Sequence, residues 1–155
     1  MTETDPTNLF GFLIQDLARL LSRTFEHIPG NLKVTRAQAR VLAYVTFYKG
    51  STQTEIAALM DVQKIVVTKL VDDLELMELI ERHPDPNDRR VRRLHVANHA
   101  GPVLDQIWQR LSEVSNIALA PLPEERAKTL LQDLAAIREH LVLHTASLAT
   151  KRDTA

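Results

Sequence analysis

The 155-residue chain contains no cysteine. That absence excludes disulfides, thiolate zinc sites and thiol-based redox sensing. Glycine is scarce, at four residues, and strand-like stretches are few, which points toward helix. No apolar run approaches the ~18 residues of a membrane span. The N-terminal stretch MTETDPTNLF lacks the basic and then apolar regions of a signal peptide. A cytoplasmic protein without a membrane partner is expected. Nucleophile elbow, phosphate loop and paired catalytic acids are all missing, so neither an enzyme nor a cofactor is expected. An excess of charge is missing too, since 19 basic residues stand against 20 acidic ones. Any nucleic-acid signal must therefore be local.

Such a signal exists. The segment DPNDRRVRRLHV, residues 85–96, packs Arg89, Arg90, Arg92 and Arg93 into five positions. Its flanks, LIERH and RVRRLHVA, alternate in character around the turn-rich PDPNDR, which predicts a β-hairpin with a long loop. Before it the periodicity is helical. Asp5-Pro6 opens a stripe of Leu9, Phe10, Leu13, Ile14, Leu17, Leu20, Leu21, Phe25 and Ile28, and Pro29-Gly30 ends it. Thr35 with Gln38, and Thr52 with Glu55, have capping-box spacing for helices over 36–48 and to Met60. Val41, Leu42 and Val45 face inward. A further helix covers 63–77. After the hairpin, Asn98 can cap a helix bearing Val103, Leu104, Ile107, Leu111, Val114 and Ala118. PLP at 121–123 breaks the chain. A last helix then carries Ala127, Leu130, Leu134, Ile137, Leu141, His144 and Leu148 at heptad spacing.

The segment QTEIAALMDVQKIVVTKLVD, residues 53–72, meets the packing needs of a helix-turn-helix. Ile56, Met60, Val62, Val67 and Leu70 are apolar, Ala57 is small at the crossing, and Asp61 tolerates the turn's positive φ. Gln63, Lys64, Ile65, Thr68 and Lys69 then face away from the core. Gln pairs with adenine and Lys reaches guanine or phosphate, while Ile65 and the Thr68 methyl can touch a thymine methyl. Val66 is expected to pack on the hairpin instead. A helix-turn-helix followed by a hairpin is a winged helix, with the hairpin loop as the wing.

With these motifs the chain resembles the MarR family of winged helix-turn-helix transcriptional regulators, along nearly its whole length. The likeness is strongest from VTRAQARVL through TQTEIAALMDV to VTKLVDDLELMELIERHPDPNDRRVRRLHV. The Asp-Pro-x-Asp-Arg-Arg wing is its most specific mark, most similar to the SlyA-type branch. The resemblance implies a mainly α, six-helix fold with a β-hairpin wing, assembled as an obligate dimer of triangular shape. Residues 1–32 would be an N-terminal dimerisation helix, 33–99 the winged helix, and 100–155 C-terminal dimerisation helices. The dimer would bind double-stranded DNA at a pseudo-palindromic operator, with recognition helices in major grooves ~10 bp apart. Arg90 would enter the minor groove, Asp88 would hold its guanidinium, and Arg89 and Arg92 would contact phosphates or groove edges. Arg93 can brace the hairpin against Glu81 or another acid. The chain departs from the family pattern where glycine usually precedes LI. Glu78 stands there, so the recognition helix must end under strain or at a shifted boundary.

The resemblance also implies release by a small ligand, since family members often bind small aromatic carboxylates or phenols. Phe12, Arg19, His27, Tyr44, Phe47 and Trp108 are the candidate lining. Alternatives are an interaction protein or anti-repressor that no longer binds DNA, and a metal-responsive regulator. The last would use His140 with His144 or His95 with His99, each pair one turn apart. No metal site is assigned. A repressor released by ligand is the expected function.

Overall fold

The computed structural model describes residues 9–152, with side chains to residue 146. The stretch containing Asp5-Pro6 and the side chain of Leu148 lie outside the described residues. Six α-helices and one two-stranded antiparallel sheet follow in the order α1 (Phe10–His27), α2 (Arg36–Phe47), α3 (Gln53–Met60), α4 (Lys64–Leu76), β1 (Ile80–Pro84), β2 (Arg92–Val96), α5 (Gly101–Leu119) and α6 (Glu124–Arg152). The chain divides into two compact units, one running to Val114 and the other from Ser115.

Both expected capping boxes form. Thr35 Oγ1 accepts from the Gln38 amide at 3.2 Å, and Gln38 Oε1 accepts from the Thr35 amide at 2.9 Å. Thr52 and Glu55 repeat the exchange at 3.3 and 2.7 Å. The Thr52 amide is also the main reason the Glu55 carboxyl titrates below its ordinary value. Asn98 does not cap α5. A single 3₁₀ turn, Asn98–Ala100, leads straight into that helix, and its own cap position is Ala97, which makes no side-chain cap bond.

The first unit is built around α2, α3, α4 and the hairpin. Leu42, Ile56, Leu74, Ile80, Leu94 and Ile107 are all fully buried. Phe25 and Ile28 bring the end of α1 into this core. Arg110 of α5 fastens that end, with its guanidinium 5.4 Å from the centre of the Phe25 ring and donating to the Phe25 and Gly30 carbonyls. The rest of α1 is different. Phe10, Leu13, Ile14, Leu17, Leu20 and Leu21 are all exposed. In the second unit, α6 buries no described side chain, and Leu130, Ile137 and Leu141 of the heptad seam are exposed. Among the described residues, apolar stripes left exposed in this way are the pattern of surfaces awaiting a partner.

Two helix ends use the same device. After α3, the Asp61 amide donates to Ala58 O and the Val62 amide to Ala57 O, with Asp61 at φ 54°. After α4, the Glu78 amide donates to Glu75 O at 2.9 Å and the Leu79 amide to Leu74 O at 2.8 Å, with Glu78 at φ 58°. Both are Schellman caps, which ordinarily place glycine in the left-handed position. The strained ending expected at Glu78 is therefore present, and the pairing of buried Leu79 with buried Leu74 holds it. Left-handed backbone costs a residue with a Cβ roughly 1–2 kcal/mol. Glu78→Gly should raise stability by about 1 kcal/mol, and Glu78→Asn by less, in urea unfolding at one fixed protein concentration. A destabilised glycine variant would show that the Glu78 side chain earns more than the strain costs.

Candidate nucleic-acid interface

α4 enters from the Asp61 turn, and its rotational phase is set by Val67, Val71 and Leu74, all fully buried. Successive helical residues are ~100° apart, so this phase turns Lys64, Ile65 and Lys69 outward, and all three are exposed. Gln63 is the cap residue of α4 but makes no side-chain cap bond, which leaves its amide uncommitted to the helix. The same phase corrects one expectation. Val66 is not buried against the hairpin; it is 46% exposed beside Ile65, because Val67 holds the inward position. Thr68 is half-buried, and its hydroxyl is engaged with Gln53 of α3 and with Lys64 O.

The wing is shaped by carboxylates acting on backbone. β1 pairs with β2 from Ile80↔Val96 to Pro84↔Arg92. At the start of the loop the Asp85 carboxylate is only 7% exposed. Its Oδ1 accepts from the amides of Asn87 at 2.7 Å and Asp88 at 3.1 Å, and its other oxygen pairs with the Arg93 guanidinium. The Asn87 amide and then Arg93 hold the Asp85 carboxyl below the usual carboxylate range, against the opposing effect of burial. Arg93 also donates to Gly50 O at 2.8 Å. Residues 50 and 51 exchange backbone bonds with Leu94, at 3.2 and 2.8 Å. Gly50 itself sits at φ 77°, where a side chain would be strained. The wing is thus tied to the loop between α2 and α3. Arg93 is braced by an acid, as expected, and that acid is Asp85.

Asp88 has a different role from the expected clamp. Its Oδ1 accepts from the Arg90 backbone amide at 3.0 Å, and no hydrogen bond joins its carboxylate to the Arg90 guanidinium among the described residues. Two residues of separation place the backbone N–H within easiest reach of an Asp side chain. Asp88 shapes the tip rather than aiming Arg90.

The arginines therefore fall into two groups. Arg93 is neutralised by Asp85, and Arg82 of β1 by Asp72 and Glu75 of α4. Arg89, Arg90 and Arg92 are exposed and carry no ion pair among the described residues, as do Lys64 and Lys69. A cleft of about 420 Å³ lies between the start of α3, the start of α4 and the wing. Lys64, Arg82, Arg90 and Arg92 line it together with Thr52, Gln53, Thr54 and Val91. Cations from three elements converge there, a chemistry suited to phosphate. Sequence reasoning missed Arg82 and Gln53. The Glu81-Arg82 pair within a strand pattern gave no sign that the arginine would turn back onto α4.

The six candidate ligand-lining residues have these surroundings. Phe12 is 58% exposed on α1, Arg19 pairs with Asp16, and His27 Nδ1 lies 2.7 Å from Arg23 O on the same helix. The Phe47 and Trp108 rings meet, tilted at 5.4 Å, and Tyr44 stacks with Tyr48. The candidate histidine pairs are placed differently. The His95 ring stacks on His83 across the hairpin at 4.7 Å, and His99 lines another cleft with Glu75, Glu78 and Glu81. His140 and His144 stack at 6.3 Å on α6. No group of three or more metal-ligating side chains is assembled among the described residues, and no helix among them is long and apolar enough to cross a membrane.

Residues 32–91 match the sequence model of the MarR family. The chain is 25% identical over 132 residues to the multiple antibiotic resistance protein MarR of Escherichia coli K12, covering 85% of this chain and 87% of that protein. Its fold is similar to that of a MarR crystal structure, with a TM-score of 0.81, 22% identity, and coverage of 95% and 98% of the two chains. It is also similar to the transcriptional repressor CouR bound to a 23-mer DNA duplex, with a TM-score of 0.72, 23% identity, and coverage of 89% and 98%.

The depressed Asp85 carboxyl has a definite sign. Its stabilisation of the loop is present above the ordinary aspartate range and is lost as pH falls through the lowered value. The Asn87 and Asp88 amide resonances should titrate with a midpoint below that ordinary range. Asp85→Asn should abolish the step. A midpoint at the ordinary value would remove Asp85 from its place in the wing.

Proposed function

We propose that this chain, whose residues 32–91 are of the MarR family, is a cytoplasmic, non-enzymatic transcriptional repressor that binds a pseudo-palindromic operator as a homodimer. One observation carries the reading. Five cations without an ion pair among the described residues, Lys64, Lys69, Arg89, Arg90 and Arg92, stand on the outward face of α4 and on the wing, while the neighbouring Arg82 and Arg93 are neutralised by acids of α4 and of the wing's base. That division concentrates positive charge on one surface of a chain with no net excess of it. In this reading α4 enters the major groove, with Gln63, Lys64, Ile65, Thr68 and Lys69 toward the bases and backbone. Arg90 enters the flanking minor groove, and Arg89 and Arg92 meet phosphates. Asp88 contributes by folding the tip. The Asp-Pro-x-Asp-Arg-Arg wing supports a place in the SlyA-type branch.

The exposed stripes of α1 and α6 are the surfaces a second copy would cover, with residues 1–32 and 100–155 dimerising and 33–99 reading DNA. Release by a small aromatic carboxylate or phenol is the regulation most in keeping with the family. Tyr44, Phe47 and Trp108 offer ring surface for it. Phe12, Arg19 and His27 would join them only if α1 and the ligand close together.

Binding to an operator selected from random duplexes should fall steeply with salt. Arg90→Ala should weaken it by roughly 1–3 kcal/mol, and Lys69→Ala should lower the salt slope by about 1. Wild-type affinity of the Arg90→Ala protein in gel-shift titrations would remove the wing from the interface. Burying a leucine is worth roughly 1.5–3 kcal/mol. Replacing Leu17 with Glu should therefore shift the protein from dimer to monomer in light scattering at micromolar concentration. An unchanged mass would place the dimer contact elsewhere.

A further inference from the structure

The outward face of α4 has apolar groups where polar ones would be cheaper. Ile65 is 70% exposed, and neither it nor Val66 belongs to the core or packs against it. A β-branched side chain on a solvated helix face loses helix propensity and gains nothing in the free chain. Thr68 follows three residues later, on the same face. Its hydroxyl would ordinarily be the polar reader of that turn, but it is already committed.

The commitment runs through three elements. With the Gln53 amide oxygen toward Arg82, that oxygen accepts from Arg82 Nε at 2.9 Å and Nη2 at 2.8 Å, and the amide nitrogen donates to Thr68 Oγ1 at 2.8 Å. The opposite orientation would set the amide N–H groups against the guanidinium N–H groups. Thr68 Oγ1 then gives its own hydrogen to Lys64 O at 3.0 Å. Arg82 is in turn held by Asp72 and Glu75. Pulling the Thr68 hydroxyl toward a base would break this chain. With its hydrogen given to Lys64 O and one lone pair taken by Gln53, Thr68 has no donor left for a base, and its methyl and a single lone pair are what it can still offer.

In the major groove the one apolar mark among the base edges is the thymine C5 methyl. We propose that α4 reads thymine by contact, through Ile65 and the Thr68 methyl. Gln53 and Arg82 act as positioning residues, fixing this preference from behind by withholding the Thr68 hydroxyl. The operator class is then one with thymines in each half-site opposite the first two turns of α4. This rests on the DNA-binding reading above.

The test begins with selection of duplexes from a random-sequence library by the full-length protein. Each thymine of the enriched duplex is then replaced by uracil, which removes the C5 methyl alone. Uracil at one or two fixed positions per half-site should lower affinity about fourfold, the equivalent of ~0.8 kcal/mol for one buried methyl-sized group. Ile65→Ala, which favours helix, should erase the difference at its position. Thr68→Val should keep the affinity for the thymine duplex, and Thr68→Ser should lose the step. Gln53→Ala leaves every outward group in place and should still relax the thymine preference.

Equal affinity for thymine and uracil duplexes at every position would overturn the proposal while leaving the DNA-binding reading intact. A folded Thr68→Val protein that loses the thymine duplex would overturn it too, by showing the hydroxyl to be the contact. Enrichment of no duplex would overturn the DNA-binding reading and the proposal with it.

Discussion

The Arg93 guanidinium fixes where the wing stands. It meets the nearly buried Asp85 carboxylate and the Gly50 carbonyl together, and so joins the hairpin to the loop between α2 and α3. Leu94 adds backbone bonds to residues 50 and 51 on the same side. A long two-stranded hairpin is marginal by itself in water. Here its base is welded to the helical core, and its tip is folded by Asp85 and Asp88 onto amides of its own backbone. Every outward cation of the wing depends on that frame for its position.

A nearly neutral chain can still present a strongly positive surface if its acids are placed to cancel only selected bases. Asp72, Glu75 and Asp85 do this for Arg82 and Arg93. Arg89, Arg90 and Arg92 are left to solvent. The arginine cluster is thus one member short of its apparent size, since Arg93 serves the fold, and Lys64 of α4 lines the cleft beside Arg90 and Arg92 instead. Local fields of this kind act on a polyanion within a Debye length, where the far-side acids are screened.

Much of this was legible in the sequence, for identifiable reasons. Capping boxes and the Asp61 turn are short-range patterns, and each is read at its true place. Glu78 announced its own strain by standing where glycine is usual. The misreadings were of side-chain direction. Val66 and Val67 are adjacent and chemically identical, and only the packing of α4 decides which turns inward. Asp88 was expected to reach a guanidinium, but a backbone amide was nearer. Asn98 had the chemistry of a cap and fell inside a 3₁₀ turn instead. Arg82, Gln53 and Thr68 lie far apart in sequence, so no local pattern could link them.

Glu78 has one more effect, at the joint between α4 and β1. A glycine there could swing φ through both signs, and the hairpin could tilt against the helix at little cost. Glutamate has only a small left-handed basin, closed on either side by the buried Leu74 and Leu79. The joint behaves as a set square rather than a hinge. Helix and hairpin then keep a constant phase, so the spacing between what α4 touches and what the wing tip touches becomes a fixed length that a target must match.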